Sequence, residues 1–221
     1  PRLSVHFGDV LQPPVGQFSG MSDVRERLTQ WLRERMIEHQ FQVEMDHGHG
    51  DVLTEIASRA RQRPGTVVLE DVTGQTLSHR MVMVGAEVLS GQFRRLLDDK
   101  QVRVGMLLPN VNGTVISLLA LWRIGKIPAV LNYSSGVPLM LTCSELAGLR
   151  QVITSRVFLA KAKLDVAPME AAGIEFIYLE DIRKRISGLA KLGVLLRHRL
   201  ALGRSQFGIP TGQTAVILFT S

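Results

Sequence analysis

Apolar residues follow two alternating patterns along this chain from about residue 66 onward. Short unbroken runs rich in β-branched residues predict strands, and stretches with apolar residues three or four positions apart predict helices. The predicted strands cover residues 66–71, 76–77, 102–108, 127–131, 151–154, 175–179 and 214–219, and the clearest helices cover residues 78–99, 115–124 and 138–147. Strands joined by helices of this length form parallel βαβ units. We therefore expect an α/β fold with a mostly parallel sheet flanked by helices.

The last predicted strand, residues 214–219, contains the unbroken apolar run 216–219, which is typical of a strand buried on both faces. Only Thr220 and Ser221 follow it, and the chain begins at Pro1 without an initiator methionine. We expect from this that the chain is a piece of a longer protein, cut where a small hydroxyl-rich loop begins.

The first 50 residues have a different composition. Prolines and glycines indicate a connector over residues 12–20. Helical spacing then predicts an amphipathic helix to the low forties, with Asp23 and Glu26 as a capping box. Its apolar residues, which we expect to dock on a neighbouring domain, are Val24, Leu28, Trp31, Leu32 and Met36.

The helix leads into the segment D-H-G-H-G-D at residues 46–51, which has two histidines and two aspartates. A metal site is one interpretation of His47 and His49. However, the glycines give no rigid geometry, and no further cysteine or histidine follows nearby. We therefore predict a flexible inter-domain turn and no metal site.

Composition and charge limit the classes of function. A length of 221 residues allows one domain or two small ones. The formal net charge of +6 favours anionic partners such as nucleotides, acidic carrier proteins or membrane surfaces. No aromatic-rich basic motif is present, so nucleic acid is not predicted. Cys143 is the only cysteine, which excludes an internal disulfide, and we expect it to be a core thiol in a protein of a reducing compartment.

A basic stretch, residues 181–202, predicts one long helix or a helical pair with leucines and isoleucines between the charges. Three interpretations remain open: a solvated helix face, an interfacial helix on anionic lipid, or a landing site for an acidic carrier protein. The basic residues that would meet an anionic membrane are Arg183, Lys184, Arg185, Lys191, Arg197 and Arg199.

Ligands of open α/β sheets lie beyond the carboxyl ends of the strands. Three loops meet this condition: residues 109–113, residues 132–136, and whatever follows Phe219. None carries G-x-x-x-x-G-K-S/T, G-x-G-x-x-G or G-x-S-x-G. Residues 134–136 could form an anion-binding nest, although a Ser/Gly turn is the preferred interpretation. We therefore predict no complete catalytic site within these 221 residues.

Four segments resemble the AMP-forming adenylate-forming superfamily, which includes acyl-CoA and acyl-ACP synthetases. They are E-D-V-T-G at 70–74, V-G-M-L-L-P-N at 104–110, L-W-R-I-G-K-I-P-A-V-L-N at 121–132 and T-A-V-I-L-F-T-S at 214–221. The last is similar to the lead-in to that family's phosphate loop. The resemblance implies that Thr220 and Ser221 contact the phosphates of ATP, with Mg²⁺, and that the fold is the N-terminal subdomain of such an enzyme, truncated.

Within the superfamily the chain most resembles the bifunctional 2-acylglycerophosphoethanolamine acyltransferase/acyl-ACP synthetases. The segments that carry this likeness are P-A-V-L-N-Y-S-S-G-V at 128–137, T-S-R-V-F-L at 154–159 and I-Y-L-E-D at 177–181, with R-L-S-V-H-F-G at 2–8 similar to the end of an acyltransferase domain. An acyltransferase H-x4-D pair is absent, since His47 and Asp51 are one residue too close.

This resemblance implies a multifunctional ligase and acyltransferase at the cytoplasmic face of a bacterial inner membrane. Its partners would be fatty acid, acyl carrier protein and a lysophospholipid, and the isolated chain would be inactive. A long-chain fatty acid–CoA ligase is the alternative, and a membrane- or carrier-docking module is the non-enzyme alternative. The implied domains are an acyltransferase end and connector (1–20), a linking helix and turn (21–50) and the synthetase portion (51–221).

Overall fold

The computed structural model describes residues 8–13, 21–46, 52–186, 193–194, 196 and 214–219. The chain divides into two units, Pro1–Gly50 and Asp51–Ser221. The proposed assignment of these parts to an acyltransferase end, a linker and a synthetase portion stays a prediction.

Among the described residues of the first unit there is one long helix, α1, at Met21–Asp46. The predicted helix is confirmed, but it begins before Asp23, so that residue lies inside the first turn and cannot be the N-cap. Part of the predicted apolar stripe is open to solvent, since Leu32 is 48% and Met36 65% exposed. The docking of this stripe on a neighbouring domain stays a prediction.

The second unit alternates strands and helices as the hydrophobic pattern predicts. Its elements are α2 Val52–Gln62, β1 Val67–Glu70, β2 Thr76–Ser78, α3 His79–Leu96, β3 Arg103–Leu107, α4 Asn112–Arg123, β4 Ile127–Val130, α5 Val137–Leu146, β5 Gln151–Thr154, α6 Arg156–Ala162, α7 Ala167–Ala171, β6 Glu175–Tyr178, α8 Leu179–Arg185 and β7 Ile217–Leu218. The short helices α6 and α7 are additions to the sequence prediction, because neither is long enough to establish a helical period.

Five strands form one parallel sheet in the order β6-β5-β3-β4-β7, and β1 and β2 form a separate antiparallel hairpin. The predicted α/β class with a parallel sheet is therefore confirmed. Strand β3 lies at the centre, where Gly105 pairs with Ala129 of β4 and Val152 of β5. A Cβ atom at Gly105 would lie 2.7 Å from Val152 Cγ2, so the close approach of β3 and β5 requires glycine there.

Helices cover both faces of the sheet. On one face α3, α4 and α8 bury an apolar cluster around Phe93, Leu121 and Ile182. On the other face α5, α6 and α7 bury a cluster around Met140, Phe158 and Met169. Strands β3 and β5 are sandwiched between these layers, which explains why consecutive residues such as Met106 and Leu107 or Val152 and Ile153 are apolar. Cys143 is half-buried against the second cluster, in agreement with the predicted core thiol.

Strand β7 differs from its prediction. The apolar run 216–219 predicts a strand buried on both faces, but Leu218 is 66% exposed. In the part of the chain that the structure describes, β7 is the outermost strand and pairs with β4. An apolar run indicates that residues favour a strand, but it does not determine how many neighbours the strand has.

The helix at the start of the basic stretch also differs from the predicted one. Helix α8 starts at Leu179 and ends at Arg185, before the predicted length is reached. Residues 193, 194 and 196 are helical, and most of the remaining stretch, including Lys191, Arg197 and Arg199, lies outside the described residues. Among the helices that are described, none combines the length and apolar character needed to cross a bilayer.

Candidate functional site

The carboxyl edge of the parallel sheet is where a ligand site is expected. The described chain continues one residue past β7, to Phe219. Thr220 and Ser221, the two predicted phosphate contacts, lie outside the described residues, as do His47 and His49. Within the described ranges no group of three or more His, Cys, Asp or Glu side chains could hold a metal ion.

A side chain of α4 holds the residues just before β7. The indole Nε1 of Trp122, near the end of α4, donates a hydrogen bond of 2.7 Å to the carbonyl of Ala215. Ile217 and Phe219 pack against the cluster around Met140. The segment that leads to Thr220 is thus held by a backbone ladder, an indole and two apolar side chains.

The loop after β4 is closed by its own hydrogen bonds. Asn132 Oδ1 accepts from the Ser134 N–H at 3.0 Å and from the Ser134 hydroxyl at 2.7 Å. The Ser135 hydroxyl donates to the Asn132 carbonyl at 2.7 Å, and Gly136 has a positive φ of 82°. Because the Ser134 N–H already has an internal acceptor, the preferred prediction of a turn is supported over an anion-binding nest.

The loop after β3 is fixed to the β1–β2 hairpin. Asp71 accepts hydrogen bonds from the Thr73 hydroxyl and N–H and, more weakly, from the Asn112 N–H at 3.4 Å. The Thr73 hydroxyl is the main cause that holds the pKa of Asp71 below its usual value. Asn112 Nδ2 also donates to the Gln75 carbonyl at 2.8 Å. The family-like segment at 70–74 therefore positions the start of α4.

The strand order reverses between β3 and β5, which makes this the topological switch point of the sheet. The buried Thr154 hydroxyl donates to the Leu107 carbonyl at 2.8 Å and ties the two strand ends together. One residue later, the Ser155 hydroxyl donates to Glu180 Oε1 at 2.7 Å, and the Val157 N–H donates to the same oxygen at 3.2 Å. Glu180 thus joins the start of α6 to the start of α8.

Glu180 keeps its charge in this setting. Burial alone would raise the pKa of its carboxyl group, but hydrogen bonds from Ser155 and from backbone N–H groups outweigh that effect and lower the pKa. Its second oxygen, Oε2, is buried without a protein donor among the described residues. A water molecule or a ligand donor could satisfy it.

A second charged pair lies beside Glu180. Arg156 Nη2 contacts Asp181 Oδ2 at 2.7 Å, and the guanidinium carbon lies 3.7 Å from the centre of the Tyr178 ring. The hydrogen bond from Arg156 is the largest cause of the lowered pKa of Asp181, and burial is the largest cause of the raised pKa of Tyr178. Glu180 and Asp181 are therefore both ionised at neutral pH.

Sequence reasoning assigned no role to the pairs Ser155–Glu180 and Arg156–Asp181. A signal was available, because Ser155 and Glu180 each follow a predicted strand, and the ends of parallel strands meet at one edge. The sequence alone does not show that β5 and β6 are neighbours in the sheet.

A comparison with models of known protein families finds no match. Solved structures do share the fold. The N-terminal subdomain of Klebsiella oxytoca NpsA, in complex with 3-hydroxybenzoyl-AMSN, is 14% identical with a TM-score of 0.53 over 62% of this chain and 32% of that chain. O-succinylbenzoate coenzyme A synthetase (MenE) from Bacillus subtilis is 18% identical with a TM-score of 0.51 over 60% and 26%.

VinN, in complex with 3-methylaspartate, is 17% identical with a TM-score of 0.55 over 78% of this chain and 45% of its own. The chain thus spans less than half the length of each of these three proteins. Identities this low establish the arrangement of the backbone and leave substrate and activity open. The parallel sheet and its flanking helices have the fold of the N-terminal subdomain of adenylate-forming enzymes.

Proposed function

We propose that this chain is the N-terminal part of the synthetase in a longer ATP-dependent fatty acid–acyl carrier protein ligase. The observation that carries the proposal is the parallel sheet with the adenylate-forming fold, whose strand β7 leads into Thr220 and Ser221. A MenE structure contains ATP and a magnesium ion, which supports the use of both by relatives of this fold.

In the proposed reaction the fatty acid carboxylate attacks the α-phosphorus of ATP, acyl-AMP forms and pyrophosphate leaves. The phosphopantetheine thiol of acyl carrier protein then attacks the acyl carbonyl, and AMP leaves. Thr220 and Ser221 would donate hydrogen bonds to the ATP phosphates at the end of a parallel strand, where small hydroxyl residues fit such a role. Mg²⁺ would be held chiefly by those phosphates, since Mg²⁺ is usually bound through substrate phosphates and few carboxylates.

The test is fatty acid-dependent exchange of pyrophosphate into ATP by the longest natural polypeptide that contains this chain. We expect Thr220→Val and Ser221→Ala each to reduce exchange by about tenfold, the value of one charge-assisted hydrogen bond. Thr142→Val is the matched control, because the exposed Thr142 hydroxyl bonds only within α5. Wild-type exchange rates in both loop variants would contradict the assignment. We expect no acyl-AMP from the isolated 221-residue chain.

The thiol acceptor separates two versions of the proposal. A long-chain fatty acid–CoA ligase is the second candidate, and its support is that MenE, with the same fold, is a coenzyme A synthetase. Parallel assays with acyl carrier protein and coenzyme A decide between them, and faster acylation of coenzyme A would reject the preferred version. Transfer of the acyl group to lysophosphatidylethanolamine in the same assay tests the coupled acyltransferase.

We also propose that the basic stretch contacts an anionic membrane surface. Arg183, Lys184 and Arg185 are exposed at the end of α8, which supports this location. Changing these three residues to glutamate should abolish co-sedimentation with phosphatidylglycerol vesicles at low salt. Glutamates at Arg59, Arg61 and Arg63 give a matched charge change around the end of α2. Equal loss of binding in both triple variants would show a non-specific charge effect and contradict the proposal.

A further inference from the structure

The register of β7 is poorly specified by its own sequence. Residues 216–219 read Val-Ile-Leu-Phe, so both faces of the strand are apolar. A shift of one residue along a neighbouring strand exchanges the two faces, and a polar–apolar alternation normally opposes such a shift. Here the exchange would replace inward Ile217 and Phe219 with Val216 and Leu218, which are also apolar. The hydrophobic effect therefore discriminates little between the two registers.

The backbone ladder also specifies the register weakly. Strand β7 pairs with β4 through Ala129↔Ile217 and Val130↔Leu218. In the described part of the chain it has no strand on its other side. Two paired residues at a sheet edge form few hydrogen bonds that a shifted strand would lose.

Trp122 supplies a contact that a shifted strand could not keep. Its indole N–H donates to the Ala215 carbonyl at 2.7 Å, two residues before the ladder begins. Trp122 lies in α4, whose position is fixed by the buried Leu121 and Ala120 on the sheet. Moving β7 by one residue displaces its atoms by about 3.3 Å, which exceeds the tolerance of a hydrogen bond.

We propose that Trp122 is a positioning residue that fixes the register of β7 against β4. Its consequence for activity rests on the proposed function, because the same register sets where the residues after Phe219 begin. A misplacement of several ångströms at that point would move the phosphate contacts away from ATP.

The structural test is amide hydrogen exchange of Ile217 and Phe219 in the 221-residue chain, because only alternate N–H groups of a strand point toward a neighbour on one side. Trp122→Phe keeps a large ring but removes the donor, and we expect exchange at these amides to become at least about tenfold faster. Trp31→Phe is the matched control, since it changes the other tryptophan, in α1, and should leave these amides unchanged. Unchanged exchange in Trp122→Phe would overturn the proposal.

A rescue variant separates register from simple packing. Adding Leu218→Thr to Trp122→Phe places a polar side chain on the outward face, so the sequence itself then favours the native register. We expect this double variant to recover slow exchange at Ile217 and Phe219. If Trp122 only fills space, Leu218→Thr will leave the exchange fast, and that result rejects the proposal. If Trp122→Phe does not fold, Trp122→Tyr, which moves the donor, must show the same loss and rescue.

The functional test uses the longest natural polypeptide. Trp122→Phe should raise the KM for ATP by about tenfold, with a smaller change in kcat, and Leu218→Thr should reverse the effect. If the wild-type polypeptide does not exchange pyrophosphate into ATP, the proposed function is refuted. The amide exchange rates still test whether Trp122 fixes the register of β7. Faster amide exchange with an unchanged KM would refute the link between register and the phosphate loop.

Discussion

The two edges of the parallel sheet use polar side chains in opposite ways. At the amino edge, Lys126 is 8% exposed, and its ammonium donates to the carbonyls of Asp98, Asp99 and Gln101 at 2.8, 3.2 and 2.7 Å. All three of its protons are therefore used by backbone acceptors. Lys126 belongs to the family-like segment 121–132, yet its contacts give it a role in joining α3 to β3 and β4.

The side chain of Gln151 also links several elements at the amino edge. Its Oε1 accepts from the Asp98 N–H at 2.9 Å, and its Nε2 donates to the Leu96 carbonyl at 3.3 Å and to Glu175 Oε2 at 2.7 Å. One buried amide thus links the end of α3 to the first residues of β5 and β6. At the amino edge, the polar groups of Lys126 and Gln151 are thus used in hydrogen bonds that hold the fold together.

At the carboxyl edge, some charged groups are open to solvent or lack a hydrogen-bond partner among the described residues. Arg156 and Asp181 are 50% and 42% exposed, and Glu180 has one oxygen without a protein donor among the described residues. Burial with complete pairing therefore indicates a structural role, whereas half-exposed or partly satisfied charges lie at the edge where a ligand is expected.

The largest expected effect is at the amino edge. Lys126→Met leaves three partly buried carbonyls without their donor, so we expect the free energy of unfolding to fall by about 3 kcal/mol. Urea unfolding measures this change. Lys100→Met, at an exposed position nearby, should change stability by less than about 0.5 kcal/mol. Equal effects of the two variants would contradict the structural role of Lys126 at the amino edge.

Gln151→Leu should cost somewhat less, about 2 kcal/mol, because it leaves the Asp98 N–H and the Glu175 carboxylate without their partner. Gln62→Leu is the control, since Gln62 is exposed and its side chain bonds only Ser58 in the same helix. The same unfolding assay applies. A loss no greater than that of Gln62→Leu would show that the α3–β5 link contributes little.

At the carboxyl edge, Glu180→Gln should cost about 1–2 kcal/mol at neutral pH, since a charged acceptor is replaced by a neutral one. Because the pKa of Glu180 is lower in the folded state, its contribution is present above the unfolded pKa and is lost as pH falls through the folded pKa. Stability of the wild type should therefore decline below about pH 4.3 more steeply than that of the variant. Parallel curves would contradict the ionised Glu180.

The smallest effect is expected for Arg156→Met. Its ion pair with Asp181 is half-exposed, and solvent screens such a pair so strongly that it stabilises the fold only slightly even with the cation–π contact to Tyr178. The loss should shrink further in 1 M salt, whereas Arg150→Met, at another exposed arginine, should have no salt-dependent effect. A large loss for Arg156→Met would place the carboxyl edge among the structural parts of the sheet.

Prediction from sequence succeeded where a residue pattern carries the information locally. The strands 102–108, 127–131, 151–154 and 175–179 each contain the observed β3, β4, β5 and β6 with end differences of one residue or none. Helix α6 was missed because its seven residues are too few for a period, although Ser155 caps it through a hydrogen bond from the Phe158 N–H. The predicted capping box at Asp23 was wrong because helix α1 begins earlier.

The sequence by itself determined the α/β class, the order of the elements and the buried character of β3, since period and apolar content depend on neighbouring residues. The tertiary structure decided the strand order, the exposed outer position of β7 and the pairing of Ser155 with Glu180 across 25 positions. It also brought Trp122 to Ala215, 93 positions away. Such contacts depend on which strands are neighbours, and a hydrophobic pattern does not encode that choice.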